Sequence, residues 1–347
     1  MKNILLIGGA GYVGTVLTSH FLKMGYKITV LDNFIYHNQF AIQPYLGDKD
    51  YIIYNGNMNN KRVLDIASKG VTDIVILAGL VGDPITKKYP QISDSINNIG
   101  IKTCIDYFNG KGIDKLIFIS TCSNYGLLKE NELADEEFPL SPLSLYAKAK
   151  VDNEEYLLTK KGIVDYTAVI LRFATAFGLS PRMRFDLSVS EFTRDIYFNE
   201  NLIVYDEDTW RPYCHVRDFA RLVEMVILSQ NNKVFFEVFN AGGDINNFTK
   251  RMIVENILKF IPAGKVQYKA NGSDARNYKV SFSKIKSTIG FEPQFTLQQG
   301  IEELIEAFRI GVYSDSILNK EKYGNYRITE KDGNHISLGS NVFMGKV

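Results

Sequence analysis

The chain has 347 residues, 45% hydrophobic and 23% charged, an ordinary globular balance that excludes global disorder. Forty basic and thirty-nine acidic side chains leave a formal charge of +1, so nothing in bulk electrostatics points to nucleic acid or a membrane surface as partner. Three cysteines (Cys104, Cys122 and Cys214) without a CxxC pair argue against a disulfide framework or a zinc site, and no apolar run approaches the roughly 20 residues of a membrane span. The expectation is a soluble, cytoplasmic protein without a metal.

Short apolar runs at 4–7, 27–31, 51–54, 73–78, 115–120 and 166–171 read as strands. They lack polar alternation, as strands do when helices cover both faces of a parallel sheet. Helical stretches at 13–24, 92–109 and 145–160 separate them. This alternation predicts an α/β fold built on a doubly wound, Rossmann-type parallel sheet. Residues 1–172 form the sheet domain, with later segments returning to it. Residues 173–313 form mainly a smaller, partly discontinuous α/β lobe, with a helix at 216–228, a strand at 238–240 and a helix at 297–309. From Ser314 to the last residue the chain is polar and rich in Asn, Lys and Gly, which predicts a surface tail or extended arm of little chemical consequence.

The first strand runs into Gly8-Gly9-Ala10-Gly11-Tyr12-Val13-Gly14, which satisfies both GxxGxxG and GxGxxG and opens a helix. Glycine serves where the backbone turns tightly, approaches a pyrophosphate, or lies close to a strand; the helix start then offers N–H donors to the phosphates. The second strand leads into Asp32-Asn33. A carboxylate there accepts both ribose hydroxyls and repels a 2′-phosphate, favouring NAD over NADP. Asn57, in Gly56-Asn57-Met58, either reads the adenine edge or is a turn residue, and Ala78-Gly79-Leu80 leaves room for a dinucleotide at the end of the fourth strand.

Tyr146 and Lys150 stand in a YxxxK spacing on a helix, so phenol and ammonium share a face. A cation near the phenol stabilises phenolate and makes it a usable base. Upstream, a buried strand ends in Ser120-Thr121-Cys122-Ser123-Asn124-Tyr125-Gly126, which places hydroxyls where ligands bind in such sheets. Thr121, Tyr146 and Lys150 beside a nicotinamide would form hydride-transfer machinery for a secondary alcohol.

With GGAGYVG, Asp32-Asn33, Ala78-Gly79-Leu80, Asn97-Asn98-Ile99-Gly100, STCSNYG, YAKAK, LRFATAFG and WRPYCHVRD in order, the chain resembles the extended short-chain dehydrogenase/reductase superfamily, in its nucleotide-sugar epimerase/dehydratase branch, over roughly residues 2–312. The resemblance implies NAD as cofactor, Tyr146 as base, Lys150 on the nicotinamide ribose and Thr121 on the sugar hydroxyl. It also implies that Asn97 shapes the cleft, that Phe173 and Thr175 line its nicotinamide end, and that the chain is a homodimer joined through the Tyr146 helix. Val151, Tyr156 and Leu157 fit either that pairing or ordinary core packing. Oxidation at the C4 carbon of a nucleoside-diphosphate sugar is the usual opening step.

Departures narrow the outcome. Cys122 and Ser123 replace the Asp-Glu pair of the 4,6-dehydratases, which disfavours loss of water, and the glutamate of UDP-glucuronate decarboxylases is missing. Cys122 is either a proton donor or packing. Arg182 and Arg184 are candidates to clamp a diphosphate or meet a base edge, Arg211 to bind phosphate, and Arg276 to replace the arginine of the usual pattern; each is otherwise a structural or solvated charge. His215 reads as structural. The SPRMRFDL segment resembles a bacterial subgroup that includes a GDP-heptose 4-dehydrogenase of capsule biosynthesis, which slightly favours a GDP-sugar. The expected function is NAD-dependent C4 oxidation, by a 4-dehydrogenase or 4-epimerase, in bacterial surface-polysaccharide sugar biosynthesis. The alternatives are a reductase of a 4-keto sugar or other carbonyl, and a non-catalytic NAD-binding scaffold.

Overall fold

The computed structural model describes residues 2–274, 276–328 and 343–344. Strands β1 (Asn3–Ile7), β2 (Lys27–Asp32), β3 (Tyr51–Asn55), β4 (Asp73–Ile76), β5 (Lys115–Thr121) and β6 (Thr167–Phe173) correspond to the six apolar runs. The later part of the chain adds β7 (Thr175–Phe177), β8 (Leu202–Tyr205), β9 (Trp210–His215), β10 (Glu237–Ala241), β11 (Asn247–Thr249) and β12 (Val266–Lys269), of which β10 returns to the main sheet. The sheet runs β10-β6-β5-β4-β1-β2-β3 with every pair parallel, and β13 (Phe343–Met344) lies antiparallel on β3. Strand order reverses direction between β1 and β4, which opens a crevice at their carboxyl ends. The fold is a doubly wound α/β sheet of the Rossmann type.

Period-two alternation explains the continuous apolar runs. Ile4 and Leu6 pack with Leu17, Phe21, Phe219 and Val223, from the helices Tyr12–Lys23 and Val216–Leu228. Leu5 and Ile7 pack on the other face with Leu64 and Ile105, from the helices Lys61–Ala67 and Ile101–Tyr107. Both faces are covered, so neither can carry polar residues.

The expected helix at 92–109 is interrupted. Pro90–Asp94 and Ile101–Tyr107 are joined by a wide π-helical turn, Ser95–Gly100, that carries Asn97. In the smaller lobe, β11, β9 and β7 form a three-stranded sheet and β8 pairs with β12. Helices Ser188–Tyr197, Lys250–Phe260 and Leu297–Arg309 enclose a separate apolar cluster around Phe177, Ile257 and Ile301.

The stretch after Ser314 departs from a surface tail as far as it is described. Tyr323 and Ile328 are buried. The Tyr323 carbonyl accepts from Phe185 N at 2.6 Å, and Asn325 Nδ2 donates to the Val81 carbonyl at 3.2 Å. Polar composition conceals this because the few apolar side chains find partners only in the folded chain, Tyr323 and Ile328 in the cores on opposite faces of the main sheet. Val151 and Leu157 also turn inward, and the outer side of their helix carries exposed Lys148, Asp152 and Glu155. Among the described residues, no helix is long and apolar enough to cross a membrane.

Candidate active site

One cavity of about 930 Å³ lies along the crevice, roofed by the smaller lobe. Its first wall is the glycine turn: Gly8, Gly11, Tyr12, Val13 and Gly14 all line it. Gly8 has φ +86°, and a Cβ there would lie 2.6 Å from Ala78 N, so only glycine lets β1 approach the end of β4. A Cβ on Gly14 would meet Gly9 Cα at 2.6 Å, which holds the helix close against the turn. The helix begins at Gly11 without a side-chain cap, and its first N–H groups face beyond its end. This is a cradle for phosphate oxygens that a side chain would fill. Asp32 and Asn33 line the next stretch, where Asp32 accepts from Ala10 N (3.0 Å) and Phe34 N (2.8 Å). Burial raises its pKa, opposed by those backbone donors. Asn57, Met58, Ala78 and Gly79 complete the wall. Asn57 Oδ1 also accepts from Asn59 N at 2.9 Å, a turn contact.

Leu80 and Asn97 stand behind the lining. Leu80 is fully buried, and the Asn97 side chain accepts from its N–H (2.8 Å) and donates to its carbonyl (3.0 Å). Asn97 therefore shapes the cleft by fixing the loop after β4, and touches the cavity through it.

At the centre, Ser120, Thr121, Tyr146, Lys150 and Phe173 line the cavity. Ser144 caps the helix Leu145–Leu158 by accepting from Ala147 N at 3.1 Å, which starts the helix with Tyr146 in its first turn. Burial pushes the Tyr146 phenol up to about 12, opposed by the Arg184 and Arg276 guanidiniums. Burial lowers Lys150 to about 7, opposed by Glu154. The Lys150 ammonium lies 5.8 Å from the Tyr146 ring centroid. Thr121 Oγ1 accepts from Ser123 N at 3.1 Å and so caps the short turn that follows β5.

Beneath these groups lies a buried network that the motifs did not reveal. Glu154 accepts from Arg172 Nη2 (2.7 Å), Arg172 Nε (3.0 Å), Asn124 Nδ2 (2.8 Å) and the Ser120 hydroxyl. Arg172 also donates to Tyr125 OH at 2.9 Å, and Tyr125 OH donates to Asn240 Oδ1 at 2.7 Å. The one signal in the sequence is that Glu154 stands four residues after Lys150, on the same helical face.

At the far end, Ser123, Arg211 and Arg276 line the cavity with Tyr278. Asp274 gathers the two arginines: Arg276 binds it with two hydrogen bonds (2.7 and 2.9 Å) and Arg211 Nη2 lies 3.1 Å away. Against the effect of burial, the Arg276 hydrogen bond and both guanidiniums hold the Asp274 carboxyl well below the usual range. Ser123 Oγ accepts from Arg276 Nη1 at 3.3 Å and shares a hydrogen bond with Tyr278 OH at 3.2 Å. Arg211 and Arg276 are thus both ion-paired and cavity-facing.

Two candidate groups have other partners. Cys122 is buried outside the lining and its thiol donates to the Arg172 carbonyl at 3.1 Å; burial pushes its pKa up. The turn after β5 sends it into the core while its neighbour Ser123 faces the cavity, so a substrate contact by Cys122 is corrected to packing. Arg184 lines the cavity but is bound to Asp186 by two hydrogen bonds, 2.9 and 2.6 Å. Thr175 lines the same wall, and Arg182 lies over the Tyr36 ring at 5.2 Å. His215 binds Glu303 at 2.8 Å and packs in the core of the smaller lobe.

Comparisons with known proteins place the chain among relatives in sequence and fold. The sequence profile of the NAD dependent epimerase/dehydratase family matches residues 4–242. The chain is 26% identical over 320 residues to a dTDP-glucose 4,6-dehydratase of Streptomyces niveus, covering 88% of this chain and 92% of that protein. It is 24% identical over 340 residues to a UDP-glucose 4-epimerase of Corynebacterium glutamicum, covering 92% and 99%. The dTDP-glucose 4,6-dehydratase of Bacillus anthracis, solved in complex with NAD, superposes with a TM-score of 0.77 at 25% identity, covering 90% of this chain and 97% of that one. The UDP-glucose 4-epimerase of Thermotoga maritima, solved with UDP-glucose, matches in fold with a TM-score of 0.79 at 23% identity, covering 90% and 100%.

Proposed function

The chain belongs to the NAD-dependent epimerase/dehydratase family of nucleotide-sugar enzymes, and from that premise we propose that it oxidises C4 of a nucleoside-diphosphate sugar, as a 4-epimerase or 4-dehydrogenase, in making sugars for bacterial surface polysaccharides. The observation that carries this reading is the sharing of one cavity by the glycine turn, the Thr121–Tyr146–Lys150 group and the Arg211–Arg276 pair.

NAD, when bound, supplies the acceptor for the C4 hydride. Tyr146, as phenolate, takes the proton of the C4 hydroxyl while Thr121 holds that hydroxyl in line. Arg184 and Arg276 oppose the effect of burial on the phenol and favour its ionised form. Lys150 orients the nicotinamide ribose from the same helical face. Arg211 and Arg276, both ion-paired to Asp274, present donors to the substrate's diphosphate. The turn after Thr121 offers no carboxylate at positions 122 and 123, and Cys122 points away, which supports oxidation without elimination. The preference for a GDP-sugar rests on the resemblance of the SPRMRFDL segment alone, whereas the relatives named above are dTDP-glucose and UDP-glucose enzymes.

The test is incubation of purified protein with UDP-, dTDP-, GDP- and CDP-sugars, with mass spectrometry of products and absorbance of NADH. A 4-keto sugar with reduced cofactor marks a dehydrogenase, and a 4-epimer without net reduction marks an epimerase. No product of either kind across the panel overturns the reading.

A further inference from the structure

Asp83 opens the short helix Asp83–Lys88 and stands half-buried in the cavity wall. Its Oδ1 is buried with no hydrogen-bond partner among the described residues. A carboxylate oxygen withdrawn from water without a donor is unfavourable unless a ligand supplies one. Cations of the same cavity are engaged elsewhere: Arg211 and Arg276 on Asp274, Arg184 on Asp186, and Lys150 on the Ile119 carbonyl. Lys87, one turn along the helix, is exposed.

The wall that carries Asp83 is held on both sides. Asn97 binds the N–H and the carbonyl of Leu80, and Asn325 Nδ2 donates to the Val81 carbonyl at 3.2 Å. Gly82 turns the chain at φ +114°, a conformation that favours glycine. Thr86 Oγ1 donates to the carbonyls of Gly82 and Asp83 at 3.1 Å each, and Ile85 and Thr86 are buried. Beyond the effect of burial, the Asp83 charge helps to raise the Tyr146 phenol; with Asp274 it opposes the effect of burial on Arg276. The carboxylate is therefore within electrostatic reach of both groups.

In the reaction proposed above, Tyr146 meets the C4 hydroxyl and Arg276 the diphosphate on C1. A sugar held at those two ends passes Asp83 by one edge. The edge through C5 and the ring oxygen carries no hydroxyl on the ring itself. The edge through C2 and C3 carries two, and each O–H is a donor that a carboxylate accepts. We propose that Asp83 binds the sugar by accepting from its C2 and C3 hydroxyls, so that the cavity selects sugars whose 2,3-diol is free. The proposal rests on the C4 reading, which sets the two ends of the sugar.

The experiment is calorimetric titration of NAD-loaded protein with UDP, UDP-glucose and the 2-deoxy, 3-deoxy and 6-deoxy forms of UDP-glucose, with and without Asp83→Ala. Both proteins carry Tyr146→Phe to prevent turnover, and GDP or dTDP replaces UDP throughout where it binds more tightly. With Asp83 present, loss of the C2 or C3 hydroxyl weakens binding by about 10- to 100-fold. Asp83→Ala weakens UDP-glucose by a similar factor, shrinks both deoxy penalties to within about threefold, and leaves UDP within about twofold. Equal affinity of the two proteins for UDP-glucose overturns the proposal. So do deoxy penalties that persist without the carboxylate, a penalty confined to the 6-deoxy sugar, which would turn the other edge toward Asp83, or an equal loss for UDP, which would mark a structural role. Asp83→Asn keeps an acceptor without the charge and serves if D83A does not fold: UDP-glucose weakened by about 3- to 10-fold with UDP unchanged supports the contact, and unchanged affinity for UDP-glucose overturns it. Failure of the C4 reading is a separate result, no product from wild type across the sugar panel; product from that panel with no loss in D83A overturns the Asp83 contact alone.

Discussion

Lys150 Nζ donates to the Ile119 carbonyl at 2.7 Å, so the ammonium of the YxxxK pair is anchored on β5. Burial lowers its pKa from 10.5 to about 7. Between those two values the unfolded chain binds a proton that the folded chain does not. Ligand-free stability should therefore rise with pH across that window, by up to about 1.4 kcal/mol per pH unit from this group. Thermal melts of wild type and Lys150→Met isolate the effect: the difference between them should move in favour of wild type from about pH 7 to about pH 10. A difference that stays flat would show that Lys150 is not desolvated.

Tyr146→Phe removes the proposed base and little else, since the ring keeps its place. Turnover should fall by about 100- to 10,000-fold while NAD affinity stays within about twofold. Turnover close to wild type would remove Tyr146 from the role of base.

Glu154 meets Arg172 below the hydroxyl-bearing turn, and both are buried. Glu154→Leu strands the guanidinium and should cost about 3–5 kcal/mol of stability by chemical denaturation. Pairing it with Arg172→Met should recover much of that loss, because the charge that needs a partner is then gone.

Cys122→Ala should leave kcat/KM within about a factor of two, as expected of a packing thiol. The native thiol should also react slowly with iodoacetamide, since burial raises its pKa and encloses it. A loss of turnover comparable to that of Tyr146→Phe would restore Cys122 as a proton carrier.

The sheet was readable because its apolar runs pack on both faces, as Ile4 and Leu5 do on opposite sides of β1. The glycine turn was readable because Gly8 and Gly14 meet backbone at distances that no side chain tolerates. Direction at a turn was not. Cys122 and Ser123 are adjacent and equally plausible, and only the path of the chain after Thr121 sends one to the core and the other to the cavity. Arg182 and Arg184 looked alike for the same reason, although the fold gives one to Asp186 and lays the other over Tyr36. The Glu154–Arg172 pair was hidden because its partners come from separate elements that only tertiary structure brings together.

Asn325 and Tyr326 form part of the cavity wall, and Asn325 N donates to Asp186 Oδ2 at 3.1 Å. They belong to a stretch beyond the helix Leu297–Arg309 that joins the fold through the buried side chains of Tyr323 and Ile328. A substitution in this short appendage therefore reaches the cavity wall directly, at two residues that come from outside both the glycine turn and the Tyr146 helix.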